Sequence, residues 1–346
     1  MNRWSDEFSA YERYIDHAYH CVAYIVTPEG QTVLDNKPSA HVAVVPDFKD
    51  QDILSAAVSQ CKLALGGIDC LISLSEFDLT MTAKLREIHQ IPGQQPNDVA
   101  RFRDKTIMKT HILAAGLRAP RFAALDSDSI TTAIVSSMRY PLIVKPRCGA
   151  ASIGVHKVAT QDEFLKLLPT LQLSEYECEE FIEGQIFHVD GIVSKGEIHF
   201  QKASRYIGTC FDFAHGKPLG SITLAASEAR AKLLKFTTDC LQALDLVQGA
   251  FHLEIIDGAD GLYFLEIGAR VGGGEIPFTM LDVFGIDFYQ AWVQQQLDPE
   301  FEVKPTQGDE ILSGFLIIPE PVGKRLADIA VPDNIQSTQV KEIMCV

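Results

Sequence analysis

Several large functional classes are closed to this chain by what it lacks. Its 346 residues carry 30 Lys and Arg against 46 Asp and Glu, a formal net charge of −16, with no basic stripe. Proteins that bind DNA or RNA neutralise phosphates with clustered Lys and Arg, so nucleic acid is not an expected partner. No run of about 18 apolar residues occurs, so no membrane span is expected. The segment from Met1 to Glu12 is polar and acidic and lacks the basic-then-apolar order of a secretory signal. The eight cysteines include no CxxC pair, which argues against a disulfide framework and against structural zinc. Reduced thiols in a cytoplasm are the plain reading. His17, His20 and Cys21 lie close together, but no second ligand cluster accompanies them. No GxGxxG is present, so a dinucleotide site is unsupported.

What is present is the patterning of a multi-domain globular chain. Hydrophobic residues make up 47% and charged residues 22%, an ordinary balance, and the length exceeds one simple core. Up to about residue 96, apolar runs at Cys21–Val26, Ala40–Val45 and Cys70–Leu74 predict three strands. Helical spacing at Asp52–Leu65 and Leu79–Ile88 predicts two helices between and after them. This is a small β/α unit with a parallel sheet. Pro92, Gly93 and Pro96 mark a linker, and a helix is expected from Asp98 to about Ala115. Strands are expected at Pro141–Lys145, Tyr176–Phe181, Phe187–Val193 and Leu312–Ile318, with helices at Gln161–Leu168 and Glu228–Leu244. The stretch from Phe200 to Leu224 reads as irregular. Within it, Tyr206 to Ser221, with Phe211, Phe213 and His215, is a candidate pocket lining. The expected partition is 1–96, 97–196 and 197–346.

The chemistry concentrates in a few short strings. Phe251–Ile256 and Leu262–Ile267 flank the turn signal Asp257-Gly258-Ala259-Asp260-Gly261 and predict a hairpin. Centred near Asp260, it sets Glu254 opposite Glu266. Facing carboxylates repel, and a divalent cation held by oxygen ligands would give the arrangement a reason. Two unrelated glutamates on a solvated face are the alternative. Arg270 follows four residues later, able to hold a carboxylate or phosphoryl oxygen in a fork of hydrogen bonds. The glycines Gly272 to Gly274 suggest close backbone approach to a ligand, or else a surface turn. Lys145 ends an apolar strand, a costly place for a cation without an anion. The small residues after it, Gly149, Ala150, Ala151, Ser152, Ile153 and Gly154, suit a loop whose N–H groups turn toward phosphate oxygens. Val155-His156 stands where a Walker A loop needs Lys-Ser/Thr, so the loop is not one.

In this order and spacing, Lys105, Lys145, the loop, Glu254, Glu266 and Arg270 resemble the ATP-grasp superfamily. The similarity is strongest to carboxylate–amine ligases related to biotin carboxylase and the L-amino acid ligases. It runs from about Cys70 to at least Ile318. It is carried by Phe102-Arg103-Asp104-Lys105, Tyr140 to Pro146, Glu179 to Gly184, His252-Leu253-Glu254 and Phe264 to Arg270. The resemblance implies an α/β and α+β chain: an N-terminal Rossmann-like β/α domain, a small central lid lobe from about Leu125 to Gly196, and a C-terminal α+β lobe. It implies that Lys105 and Lys145 contact ATP phosphates, that the 149–154 loop closes over them, and that Glu179, Glu180, Phe181 and Ile182 form the adenine-reading hinge. It places His188 near the ribose, Mg²⁺ (or Mn²⁺) on Glu254 and Glu266, and Arg270 and Arg205 on the reacting carboxylate or phosphoryl group. The implied reaction joins a small-molecule carboxylate to an amine, free or carried on a protein, through an acyl phosphate. A homodimer is common among the similar enzymes.

One residue departs from the pattern. The family's metal strand usually reads Glu-x-Asn-x-Arg, and Gly268 replaces the Asn. One oxygen ligand is thereby lost, which leaves an inactive ATP-binding module as an alternative. A bicarbonate-using, biotin-carboxylase-like reading rests on Glu275, five residues past Arg270, but its spacing is off by one.

Overall fold

A computed structural model describes residues 1–5, 11–34, 38–125, 137–298, 300–304 and 311–319. Strand β1 (Ala23–Val26) pairs in parallel with β2 (His41–Val44). The helix Gln51–Leu65 follows them: Asp50 caps it by accepting from Asp52 N and Ile53 N, and Gly66 ends it at φ 76°. Gly66 takes the left-handed turn that a side chain would resist. The helix buries Leu54, Ala57, Val58 and Cys61, one face at helical spacing.

The third strand expected at Cys70–Leu74 does not form among the described residues. Its backbone groups are taken by other partners. The Met1 amino group donates to Ile72 O at 2.7 Å, Arg86 donates to Leu71 O, and Leu74 N donates to Tyr11 Oη at 2.7 Å. The run is still buried, so its apolar character was read correctly and its partner was not.

A four-stranded antiparallel sheet forms the central lobe: β3 (Phe122–Ala124), β4 (Leu142–Pro146), β5 (His156–Val158) and β6 (Tyr176–Glu180), in the order β3-β6-β4-β5. Phe164 from the helix Gln161–Leu167 fills its core, with no exposed surface.

The larger sheet has six strands in the order β11-β10-β7-β8-β9-β12. These are β7 (Gly184–Ser194), β8 (Glu197–Ile207), β9 (Leu219–Thr223), β10 (Gly249–Gly258), β11 (Gly261–Gly268) and β12 (Gly314–Ile317). Two expectations are corrected here. The boundary at residue 196 falls in the β7–β8 turn, inside this sheet, and the break between lobes lies at residues 181–183. The stretch 200–224, read as irregular, is mostly β8 and β9. Its polar residues Lys202, Ser204 and Ser221 share a face with Asp190, His188 and Glu254, which masks the apolar alternation expected of a strand. On the opposite face, Phe251, Leu253 and Ile255 are fully buried against the helix Glu228–Leu244. Burying each is worth roughly 1.5–3 kcal/mol.

Candidate functional site

The site begins with a helix break. The single helix expected from Asp98 to Ala115 is two, Pro96–Ala100 and Lys105–Ala114. Asp104 interrupts them by capping the second: its carboxylate accepts from Thr106 N at 2.9 Å. Arg147 Nη2 holds the same carboxylate at 2.7 Å. Burial works against that charge, but Arg147 and Thr106 bring its pKa below the ordinary aspartate value. The break leaves Lys105 as the first helical residue, with Nζ 3.2 Å from Glu266 Oε2 and donating to Gly149 O at 2.8 Å.

Glu266 and Glu254 are direct partners across β10 and β11. A bulge makes them so. The turn sets Asp257 opposite Leu262 and Ile255 opposite Phe264, and past Ile255 the register shifts by one. Leu265 becomes the extra residue, and Glu266 moves into line with Glu254. Burial opposes the charge on Glu266, but the ammonium groups of Lys105 and Lys145, with Arg270, hold its pKa at about 2. Two carboxylates on a rigid ladder are a hard-oxygen donor set that suits Mg²⁺. The donor set fits the ion, with one oxygen fewer than the family pattern.

Lys145 enters from β4. Its Nζ lies 2.7 Å from Glu179 Oε1 and 4.0 Å from Glu177 Oε1. Lys109, fully buried, donates to Glu177 Oε1 at 2.6 Å and to Glu179 Oε2. Burial alone would lower the Lys145 pKa, but the two carboxylates raise it above its ordinary value. The Glu179 side chain is thus committed to two lysines. Glu180 N donates to Arg121 O at 2.8 Å and Phe181 N to Pro141 O at 3.1 Å. Phe181 is half-exposed beneath Lys157 Nζ, 3.5 Å from the ring centre. Ile182 approaches the hairpin at Gly258.

The 149–154 loop bends through left-handed backbone at Ala151 (φ 54°), Ser152 (φ 55°) and Gly154 (φ 71°). Non-glycine residues reach that region at a cost. The loop's base is tied down by Lys105 at Gly149 O and by Arg103, which donates to Cys148 O at 2.9 Å.

Arg270 reaches into the N-terminal domain. Its Nε donates to Glu76 Oε2 at 2.5 Å, and Glu76 Oε1 also pairs with Arg103. Burial works against the Glu76 charge, but these guanidinium groups hold its pKa below the ordinary glutamate value. Gly268 gives that path room. A Cβ there would stand 3.1 Å from Arg270 Cγ and 3.2 Å from its Nε.

Two expected site residues stand elsewhere. Arg205 pairs with Phe187, on the face opposite Glu254, and is exposed. Strand alternation instead sends Tyr206 and Lys202 to the Glu254 face. His188 is fully buried, with Nδ1 at 2.6 Å from Asp190 Oδ2 and Nε2 at 2.7 Å from Ser221 Oγ. Both ring nitrogens are engaged within the sheet. The candidate pocket segment comes to the site through Tyr206, whose Oη donates to Glu254 Oε1 at 3.1 Å, and through Cys210, with Sγ at 4.0 Å from the same oxygen.

Glu76, Lys109, Glu177 and Asp190 are not singled out by the sequence, and His252 enters there only as part of the string His252-Leu253-Glu254. Glu177 and Glu179 alternate with buried residues on one strand, which was the available signal. His188, Asp190 and His252 lie close enough to hold a cation. However, the two imidazoles already hydrogen-bond the carboxylate, at 2.6 and 2.8 Å. Burial would lower the His252 pKa, but the Asp190 carboxylate raises it to about 9.

No described helix is long and apolar enough to cross a membrane. Residues 102–274 match the model of the ATP-grasp domain. The chain is 26% identical to the L-arginine-specific L-amino acid ligase of Bacillus subtilis over 78% of this chain and 67% of that one. It is 24% identical to the dapdiamide A synthase of Enterobacter agglomerans over 63% of this chain and 56% of that one. The chain therefore spans only about two thirds and just over half of these two relatives. Its fold is similar to the L-amino acid ligase structure from Bacillus licheniformis, with TM-score 0.71 and 22% identity over 90% of this chain and 77% of that one. With half the chain matched, the Lys105–Glu266 and Lys145–Glu179 pairs lie within a recognised domain: this protein belongs to the ATP-grasp family.

Proposed function

We propose that this protein is an ATP-dependent carboxylate–amine ligase that joins amino acids or short peptides, in a reducing cytoplasm, through an acyl phosphate. The observation that carries the reading is the facing Glu254–Glu266 pair, with the positive charges of Lys105, Lys145 and Arg270 acting on Glu266. Three cations around two carboxylates are an arrangement for placing a triphosphate beside a second anion.

A carboxylate is a poor electrophile. Its oxygen attacks the γ-phosphorus of ATP, the bond to the β–γ bridging oxygen breaks, and ADP leaves. The amine then attacks the acyl carbon, the carbon–oxygen bond to phosphate breaks, and the amine gives up a proton. Lys105 and Lys145 offset charge on the transferred group, and Arg270, with Nε held by Glu76 and Nη1 donating to Val271 O, would meet the acyl oxygens through Nη2. Glu254 and Glu266 would hold Mg²⁺, which supplies further charge neutralisation when bound. The 149–154 loop would keep water from the acyl phosphate.

The test is phosphate release from Mg-ATP across pairs of amino acids, with an arm of carrier-bound amines and Glu266→Ala as control. Release that requires a particular pair and vanishes in the control supports the ligase. ATP binding without release on any pair or carrier favours an inactive module, the reading suggested by Gly268.

A further inference from the structure

The six-stranded sheet carries a line of buried polar side chains that the reaction above does not use. Asp190 lies at its centre, on β7, with no exposed surface. Its Oδ2 faces His188 Nδ1 at 2.6 Å and its Oδ1 faces His252 Nδ1 at 2.8 Å. A carboxylate only accepts, so both Nδ1 atoms donate to it. Beyond His188, Nε2 ends on Ser221 Oγ at 2.7 Å. Beyond His252, Nε2 points to Glu254 Oε1 at 3.4 Å and to Tyr206 Oη at 3.3 Å, and Tyr206 itself donates to Glu254 Oε1 at 3.1 Å.

We propose that Asp190, acting through His252 and together with Tyr206, positions the Glu254 carboxylate for its cation. The inference rests on the metal role proposed above for Glu254.

Four further points support it. Burying a carboxylate and two imidazoles in a sheet core is costly, and an apolar trio would pack more cheaply. The line runs from a closed end at Ser221 to an end at Glu254, facing Glu266. Its contacts all fall on Oε1, which leaves Oε2 as the oxygen without a hydrogen bond among the described contacts. Register also aligns the line with the family departure: His252 is the cross-strand partner of Gly268, where the third oxygen ligand would stand. With one ligand fewer, the direction of each remaining carboxylate matters more. Finally, the chain after Arg270 closes directly over Asp190. A Cβ on Gly272 would lie 2.4 Å from Asp190 Oδ1, so the close approach suggested by the glycine run is to this carboxylate.

The experiment is Mn²⁺ binding to the full chain in the presence of ADP, followed by electron paramagnetic resonance. Nucleotide affinity in EDTA is measured alongside. His252→Asn keeps a donor for Asp190 and removes the one aimed at Glu254. His252→Gln restores a donor near the Nε2 position. Tyr206→Phe removes one hydroxyl and keeps the ring that lies against His188, their centroids 4.5 Å apart. It therefore stands as a second test should the His252 variants fail to fold. Outer-shell partners of metal ligands typically contribute 10–100-fold in affinity. His252→Asn and Tyr206→Phe are expected to weaken Mn²⁺ by about tenfold or more, with metal-free nucleotide affinity unchanged and with recovery in His252→Gln. Folded His252→Asn and Tyr206→Phe that bind Mn²⁺ as the parent does, while Glu254→Gln loses it, overturn the positioning role and leave the metal reading standing. A parent that binds no Mn²⁺, or a Glu254→Gln that binds it unchanged, overturns the metal reading and the positioning role with it.

Discussion

Glu76, from the N-terminal domain, accepts a hydrogen bond from Arg270 Nε at 2.5 Å, across 194 residues of sequence. The contact ties the arginine beside the carboxylate pair to a part of the chain outside the matched domain. Glu76→Gln keeps the shape and removes the charge that orients Arg270 and Arg103. Turnover in the phosphate-release assay is expected to fall about 10–100-fold, with the KM for ATP changed less than threefold, as for an interaction realised mainly in the transition state. A rise in KM with turnover intact would show that Glu76 serves nucleotide binding instead.

Restoring the family's residue at position 268 is expected to harm this protein. In Gly268→Asn the new side chain would start 3.1 Å from Arg270 Cγ, so one of the two must move. Turnover should drop at least about tenfold, in line with displaced catalytic groups. A gain in turnover would mean that the lost oxygen ligand outweighs the path of Arg270.

Lys109 bridges Glu177 and Glu179 where none of the three side chains is more than 3% exposed. Lys109→Met leaves the two carboxylates with Lys145 as their remaining cation. Breaking a buried pair in this way costs about 3–5 kcal/mol. Urea unfolding at neutral pH should read a loss of that size. A loss under about 1 kcal/mol, the range of exposed pairs, would show that the cluster is solvated.

The Asp104 cap supplies a pH test. Its folded pKa is depressed, so the stability it contributes is present above the unfolded value of about 3.9 and is lost as pH falls below it. Asp104→Asn keeps a capping oxygen and loses the pair with Arg147. It should lower the melting temperature at pH 7, and the gap to the parent should narrow steadily as pH falls below about 3.9. A gap that stays constant through that fall would assign the loss to packing rather than charge.

The facing of Glu254 and Glu266 was legible because a hairpin's register follows from its turn, and the turn signal Asp257 to Gly261 is local. The direct pairing also required a bulge at Leu265, which no local pattern announced. Lys145 was legible because a cation ending an apolar strand calls for an anion. Its partners Glu179 and Glu177 were less so, because sheet pairing selects them. Arg205 and His188 were assigned from family position and lie elsewhere. The first fails because alternation along β8 puts its neighbours, not itself, toward the site. The second fails because Asp190 and Ser221 reach it from within β7 and from β9.

The amino-acid order by itself determined the caps, the turns and the helical faces, since each depends on neighbours within a few positions, and it supplied the charged residues to which the proposed ATP chemistry is assigned. Tertiary structure alone decided which anion each buried cation meets, which face of a strand looks into the cleft, and that Glu76 completes the site from another domain. Those choices depend on desolvation and on contacts between residues 32 to 194 positions apart, and burial makes an unpaired charge too costly to leave to chance.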